Sequence, residues 1–543
     1  MLWTKSVKLL YSVVISGLFV VPAIVGYALH LHISTQSFWA LGAYGTVVFL
    51  FIFFQLTFAT LNRITLARFY KTGPPIVSRQ EYLAGCPGRP ASVVGLAVVG
   101  YREEPELFRQ CLDSIRRLEY PDPFKTVVVI DGNEEQDREM AEIFEKTFPG
   151  KSVVALPHVM SDTPHLNVPF PSEKESGSEG DGVTNAVCYM QPHRGKRHAM
   201  YTAFRVLIEA GCEAIMSTDS DTRFDQKAMI ELERALHWHA DTGAVAGDVK
   251  IWNSSESVLA YMSSLRYWMA FNIERAAQSF NRCVTCVSGP MGMYRANVLA
   301  SVLDDWISQR FLRMECTYGD DRHLTNQILR RGSKVVYTHF AFCETETPPN
   351  FLRWFKQQTR WSKSFYRELL WNIRSLTKHS PWMAAELFYQ GIYPFVLMFS
   401  IFYILWGHVP FVLLVWLVSL MAIAGIKTIY AFLSTASPRF LVFPFYSVYY
   451  LLGLVPAKIW ALVSLWDVRW GTSARSASER KQENIFWQQV KEAMPIVVWV
   501  VLILAGVSFN VVTFYVDPER SGRQPEGASD PSSIIFFRNP EFT

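Results

Sequence analysis

The chain has 543 residues, of which 50% are hydrophobic and only 18% charged, and its net charge is +4. Soluble domains average about 25% charged residues, so much of this chain is not built for water. A small net charge, no long basic run and no recognition motif exclude a nucleic-acid-binding protein, and the length exceeds what one core fills.

In chain order, the first feature is a stretch from Lys8 to Arg63 with no Lys, Arg, Asp or Glu between them. It holds two apolar runs, Leu9 to Leu29 and Phe38 to Leu61, each long enough to cross a bilayer, joined by His30 to Ser37. Lys5 and Lys8 precede the pair, and Arg63, Arg68 and Lys71 follow it. Cationic flanks mark the cytoplasmic side, so residues 1–62 are expected to form a retained hairpin with both ends inside. Residues 63–350 have ordinary soluble composition and are expected to be cytosolic. All eight cysteines lie there (86, 111, 188, 212, 283, 286, 316 and 343) and are expected as reduced thiols. Cys283 and Cys286 have no second pair at zinc spacing, and the sequon at Asn253 would stay unused in the cytosol.

Within that domain, Ser92 to Gly100 is a continuous apolar run, the pattern of a strand buried on both faces. It ends in Tyr101, Arg102 and Glu103 before a helical pattern begins. A second run, Thr126 to Ile130, ends in Asp131, Gly132 and Asn133, and a third, Ala214 to Thr218, ends in Asp219, Ser220 and Asp221. Strands alternating with helices imply a parallel α/β sheet, with ligands beyond the carboxyl ends of the strands. Asp-Gly after a strand is usually a turn, and Asp-x-Asp can be a helix cap. The two patterns together suit a diphosphate, because Mg²⁺ and Mn²⁺ take carboxylate and phosphate oxygens at once. Arg194 to Arg197 supplies cations for the same phosphates.

Ser161 to Gly182, rich in Ser, Gly, Pro and acids, reads as a mobile loop. Val287 to Gly292 is a small-residue turn suited to close approach. Gly319, Asp320 and Asp321 open a helix, where a carboxylate could be a helix-start residue or a general base for a sugar hydroxyl. Gln357, Arg360 and Trp361 fall in a segment dense in aromatic, amide and cationic groups, residues 351–382, expected to lie at the membrane interface. Residues 383–434 then form a second hairpin, with Gly407 to Val409 as its outer turn. Leu441 to Leu465 is apolar but interrupted by Pro444, Pro456 and Lys458, and the cationic residues after it belong inside. Residues 435–493 are therefore expected to be interfacial or re-entrant, 494–516 to form a fifth span, and 517–543 a polar outer tail.

The order of these motifs resembles the inverting family-2 glycosyltransferases with a GT-A fold, the group of cellulose, chitin and hyaluronan synthases. Arg266 to Arg275, Gly289 to Arg295, Gly319 to Asn326, Gln357 to Ser364, Val455 to Lys458 and Trp470 to Arg475 resemble hyaluronan synthases of vertebrate type. The resemblance implies an α/β GT-A domain inserted between transmembrane helices. It places Tyr101, Glu103 and Asp131 at uridine, Lys196 and Arg197 at the diphosphate, and Asp219 and Asp221 at Mg²⁺ or Mn²⁺, with Asp221 the more direct ligand. It makes Asp321 the catalytic base with Asp320 beside it, and puts Gln357, Arg360 and Trp361 at acceptor and diphosphate. Cys286 would line the acceptor site, and Trp470, Gly471, Thr472, Ser473 and Arg475 would form a gating loop. Position 474 is Ala where the family loop has Gly, and the family carries one further span near its end. The implied partners are UDP-N-acetylglucosamine, UDP-glucuronate, the growing hyaluronan chain and membrane lipids, at the plasma membrane. A chitin-synthase-like homopolymerase and a weakly catalytic transport subunit are the alternatives.

Overall fold

A computed structural model describes residues 35–163, 168–171, 184–406, 410–468 and 486–516, with positions 7, 10, 13 and 14. Most of the first apolar run, the turn at 407–409, most of the loop before 184, the expected gating loop with Ala474, and the tail lie outside the described residues.

The first long helix, α1 (Thr35–Thr72), has 38 residues, which at about 1.5 Å each reaches about 57 Å. That is nearly twice a hydrocarbon core of about 30 Å, so one rigid rod leaves the apolar zone and enters the soluble domain without a break at residue 62. Its far end is fastened there: Tyr70 donates its hydroxyl to the Glu231 carbonyl at 2.6 Å, and Arg63 donates to Asn272 Oδ1 at 2.6 Å.

The soluble domain is built on nine strands: β1 (Val94–Gly100), β2 (Phe124–Ile130), β3 (Ser152–Ala155), β4 (Thr184–Met190), β5 (Ala214–Asp219), β6 (Arg223–Phe224), β7 (Thr242–Ile251), β8 (Gly292–Arg295) and β9 (Lys334–Thr345). Their order in the sheet is β3-β4-β2-β1-β5-β8-β7-β9-β6. The apolar runs of β1, β2 and β5 are buried almost throughout, as central strands covered on both faces must be.

Five adjacent strands, β3 to β5, are parallel, as their alternation with helices predicts. The expectation of a wholly parallel sheet fails at β8, which runs antiparallel to both β5 and β7, and at edge strand β6, antiparallel to β9. The physical reason is its reversed direction: Gly292 pairs opposite Ser217, near the carboxyl end of β5. The turn before β8 is thereby brought to Asp219.

Among the helices that follow, α2 (Pro105–Arg116) starts on a Pro that needs no hydrogen-bond partner, and it buries Leu107, Phe108, Cys111, Leu112 and Ile115 along one face. The site-bearing helices are α3 (Lys196–Glu209), α4 (Asp320–Arg330) and α5 (Phe351–Asn372). Three apolar helices follow: α6 (Pro381–Trp406), α7 (Pro410–Thr435) and, last among the described residues, α8 (Phe486–Val516). Between α7 and α8 the chain passes through a 3₁₀ segment (Pro438–Phe445), a short α turn, a π segment (Tyr450–Leu454) and a last helix (Val455–Val463). Among the described residues, Thr46–Thr72, Pro438–Val463 and Glu492–Phe509 are long and apolar enough to cross a membrane.

A buried polar knot ties α4 to α5. Glu368 accepts from Asn326 Nδ2 at 2.9 Å and from Gln309, and lies 3.0 Å from His323 Nδ1. Burial alone would raise the Glu368 carboxyl, but His323, Asn326 and Arg367 outweigh it and hold the group at about 2. A carboxylate so depressed contributes stability that is fully present above its ordinary 4.5 and is lost as pH falls towards about 2. Glu368→Gln is expected to cost about 3 kcal/mol, because it leaves its partners buried without a charge. Thermal unfolding checks this: an unchanged melting temperature would remove the knot as a stabilising element.

Candidate active site

The carboxyl ends of β1, β2 and β5 open on one cavity of about 1040 Å³. Tyr101, Glu103, Asp131, Lys196, Asp219, Asp221, Cys286, Asp320, Asp321, Gln357, Arg360 and Trp361 all line it. Residues as far apart in the chain as Tyr101 and Trp361 therefore share one space.

At one end, the Tyr101 ring stacks on His193 at 4.2 Å, and the Arg102 guanidinium sits 5.0 Å from the Tyr101 ring. Arg102 has left-handed backbone (φ 45°) and is held by Asp137 and Glu134, both at 2.9 Å. Asp131 is buried and organises the turn that follows β4. Its carboxylate accepts from the Arg194 amide at 3.1 Å, the Gly195 amide at 2.8 Å and Gln191 Nε2 at 3.2 Å. It also lies 2.8 Å from His193 Nδ1 and raises that imidazole above its ordinary range. Glu103 accepts from the Ser220 hydroxyl at 2.9 Å, which links the end of β1 to the Asp-x-Asp turn.

At the centre, Lys196, the first residue of α3, forms an ion pair with Asp219. Burial raises the Asp219 carboxyl, Lys196 opposes that, and Asp221 adds to it. A Cβ on Gly289 would stand 3.1 Å from Asp219 Oδ2 and 3.4 Å from Lys196 Nζ, so a larger residue in the turn before β8 would crowd this ion pair. Thr218 fixes that turn by donating to the Pro290 carbonyl at 3.0 Å.

Arg197, expected at the diphosphate, is turned inward instead. It is 3% exposed, donates Nε to Asp320 Oδ1 at 2.6 Å, and packs 5.7 Å from the Trp306 ring. The correction has a helical cause. Successive helix residues point about 100° apart, so when Lys196 faces the cavity Arg197 faces the core. Asp320 is accordingly the anchor that joins α4 to α3, and Trp306 Nε1 donates to its carbonyl at 2.9 Å.

Asp321 faces the cavity one residue later. Its Oδ1 accepts from the Arg322 amide at 2.8 Å, and the Cys286 thiol donates to Oδ2 at 3.4 Å. Burial, with Asp321 next, pushes the Cys286 thiol up to about 12, so it stays protonated. Gly319 caps α4 at φ 83°, a conformation that favours Gly. From α5, Arg360 reaches the same acids: burial lowers it, and Asp321, Asp219 and Asp320 oppose that. Trp361 stands edge-on to Tyr267 at 6.1 Å, at the mouth of the membrane-side half.

The cavity does not stop there. It continues between the apolar helices past Tyr389, Tyr393, Lys427, Tyr446, Tyr450 and Lys458. Here Glu274 is surrounded by cations: Arg266 at 3.0 Å, Lys427 at 3.7 Å, and Lys458 within electrostatic reach.

Residues 214–465 match the family model described as "Glycosyl transferase family group 2". Hyaluronan synthase 1 of Xenopus tropicalis is 35% identical over 516 residues, covering 92% of this chain and 82% of the relative. Hyaluronan synthase 3 of Homo sapiens is 34% identical over 507 residues, covering 92% of this chain and 87% of the relative. The chain belongs to the hyaluronan synthase family. It is a membrane protein and a glycosyltransferase, with a GT-A-type α/β domain set among apolar helices.

In this synthase the sequence reading missed two groups. One is the cation cluster round Glu274. Its signal was available, since Lys427 is the only charged residue in α7 and an ionisable group in an apolar helix marks a functional lining. The other is the anchor of residues 467–468, just before the expected gating loop. Tyr318 donates to the Asp467 carbonyl at 2.9 Å, Thr317 donates to Val468, and Lys363 Nζ lies 3.6 Å from the Asp467 carboxylate. No local pattern announces a contact across 149 residues.

Proposed function

We propose that this chain polymerises alternating N-acetylglucosamine and glucuronate from their UDP derivatives and passes the product through its own membrane helices. The observation that carries the reading is the continuity of one cavity from Asp219 and Asp321 to the cations round Glu274. A neutral chitin chain carries nothing to match Arg266, Lys427 and Lys458, whereas a polymer with a carboxylate on every second sugar does.

In the proposed reaction, Tyr101, Glu103 and Asp131 border the uridine, and Lys196 meets the diphosphate. Asp219 and Asp221 fit a divalent cation, Mg²⁺ or Mn²⁺, in the manner of sites that use two carboxylates and leave the rest to substrate phosphates. Among the described residues no group of three or more His, Cys, Asp or Glu side chains is placed to hold an ion without phosphate oxygens. When bound, the cation supplies charge stabilisation to the departing UDP. Asp321 takes the proton from the acceptor hydroxyl as that oxygen attacks the anomeric carbon from the face opposite the diphosphate. The bond from the anomeric carbon to the phosphate oxygen breaks, configuration inverts, and Lys196 and Arg360 face the charge that appears. Gln357 and Trp361 hold the acceptor, beside Cys286.

The proposed topology places residues 63–350 in the cytosol, with 351–382 and 435–493 at the inner interface, the loop at 470–475 gating the donor, and the enzyme in the plasma membrane. Incubating purified protein with each UDP-sugar singly and then with both tests the reading. High-molecular-mass product that needs both donors and is digested by hyaluronidase is expected. Long polymer from UDP-N-acetylglucosamine alone would replace the reading with chitin synthesis.

A further inference from the structure

A second cavity, of about 560 Å³, lies at the opposite end of the sheet from the catalytic one, where β5 begins at Ala214. Three guanidinium groups from separate parts of the chain meet there: Arg79, Arg89 and Arg295, the last residue of β8. Their counter-charges are already engaged. Glu213 pairs with Arg79 at 2.6 Å and accepts from the Val93 amide at 2.9 Å. Glu233, fully buried, pairs with Arg89 at 2.9 Å while accepting from the Tyr120 hydroxyl at 2.6 Å and the Ser92 amide at 2.9 Å.

Arg295 has no carboxylate partner among the described residues. It donates to the Thr242 carbonyl at 2.6 Å and the Leu236 carbonyl at 3.0 Å, and the charge nearest it in effect is Arg89. The bond to Leu236 caps the end of a helix (Ala228–Leu236) and the bond to Thr242 reaches the start of β7, which accounts for the Arg295 contacts but not for an open volume in front of them. His237, on the same wall, is driven down to about 3 by burial and then by Arg89 and Arg295. Arg79 and Arg89 keep carboxylate partners, so Arg295, half-buried beside the open space with only Arg89 as a charged neighbour, is the cation whose charge a bound anion would offset.

We propose that this cavity binds a small soluble phosphorylated metabolite, its phosphate held by Arg79, Arg89 and Arg295. Phosphate oxygens match the donor fork of guanidinium, and several forks converging from different directions suit a tetrahedral anion better than a planar carboxylate. The volume exceeds that of a bare phosphate, and Tyr82 on the rim, 46% exposed, offers an aromatic face for the rest of the molecule. The ligand is soluble rather than a lipid headgroup because of where the cavity lies. The catalytic cavity leads from the carboxyl ends of the strands into the apolar helices, and this one is a strand length, about 20 Å, further from them.

Titration calorimetry of the full-length protein in phosphatidylcholine nanodiscs tests this, with sodium phosphate and then adenosine monophosphate, in EDTA at matched ionic strength. Saturable one-site binding is expected in the wild type and in Lys196→Gln, weakened about tenfold or more in Arg295→Gln and in Arg79→Gln. Arg79 is half exposed, so that variant decides the matter where Arg295→Gln fails to fold. Three results would overturn the proposal: unsaturable heats, unchanged affinity in Arg79→Gln, or loss of binding in Lys196→Gln, which would place the anion in the catalytic cavity. Displacement of phosphate by phosphatidic acid added to the nanodiscs would also overturn it, assigning the cavity to lipid.

Discussion

Asp321→Asn is expected to abolish polymer synthesis, by about a thousandfold or more, while UDP still binds within about twofold of the wild type. The substitution keeps the shape and the bond from the Arg322 amide, and removes only the ability to accept a proton. Of the adjacent acids, Asp320 cannot replace it, because its carboxylate is committed to Arg197 in the interior. Neither can Cys286, a protonated thiol that donates to Asp321. The proposed nucleotide contacts, at Tyr101, Glu103 and Lys196, are made by other side chains lining the cavity and are left intact. Incorporation of labelled sugar and calorimetry with UDP separate the two effects. Synthesis near the wild-type rate in Asp321→Asn would remove it as the base. Loss of UDP binding together with synthesis would make it structural.

Removal of divalent cations has an effect of similar size. EDTA is expected to stop synthesis, and Mg²⁺ or Mn²⁺ added in excess to restore it. Asp221→Asn should lower turnover by about a hundredfold and raise the cation concentration needed for half-maximal rate. Asp219 and Asp221 stand two residues apart at the end of β5, and Lys196 pairs with Asp219. The negative charge gathered here, with Asp321 opposite, exceeds what Lys196 offsets, and a nucleoside diphosphate would add more. A cation shared between carboxylates and phosphates resolves that excess. Synthesis that persists in EDTA would rule out metal dependence and leave the offset to Lys196 and Arg360.

The two expectations differ in how they were reached. The acids at the ends of β1, β2 and β5 were legible because a doubly buried strand is a local signal, and its last residue must face the crevice. Asp321 was legible as a helix-start acid after Gly319, although its role as base came from the resemblance. Arg197 was misplaced because a basic tetrapeptide looks alike from every direction until a helix phase is set. Asp131 was legible as a site residue, but the turn that occupies its carboxylate lies 60 and more residues further on.

Composition and charge placement alone determined that a soluble α/β domain sits between apolar segments, because hydrophobicity and flanking cations act over a few residues at a time. They also determined the strand ends that carry acid. Tertiary structure alone decided that β8 runs backwards and so delivers Gly289 to Asp219, that Arg197 belongs to the core, and that Glu274 gathers Arg266, Lys427 and Lys458 round the cavity. Each of those outcomes depends on strand register and helix phase between segments distant in the chain, and a side chain's neighbours across such a gap are set by packing, not by the residues beside it.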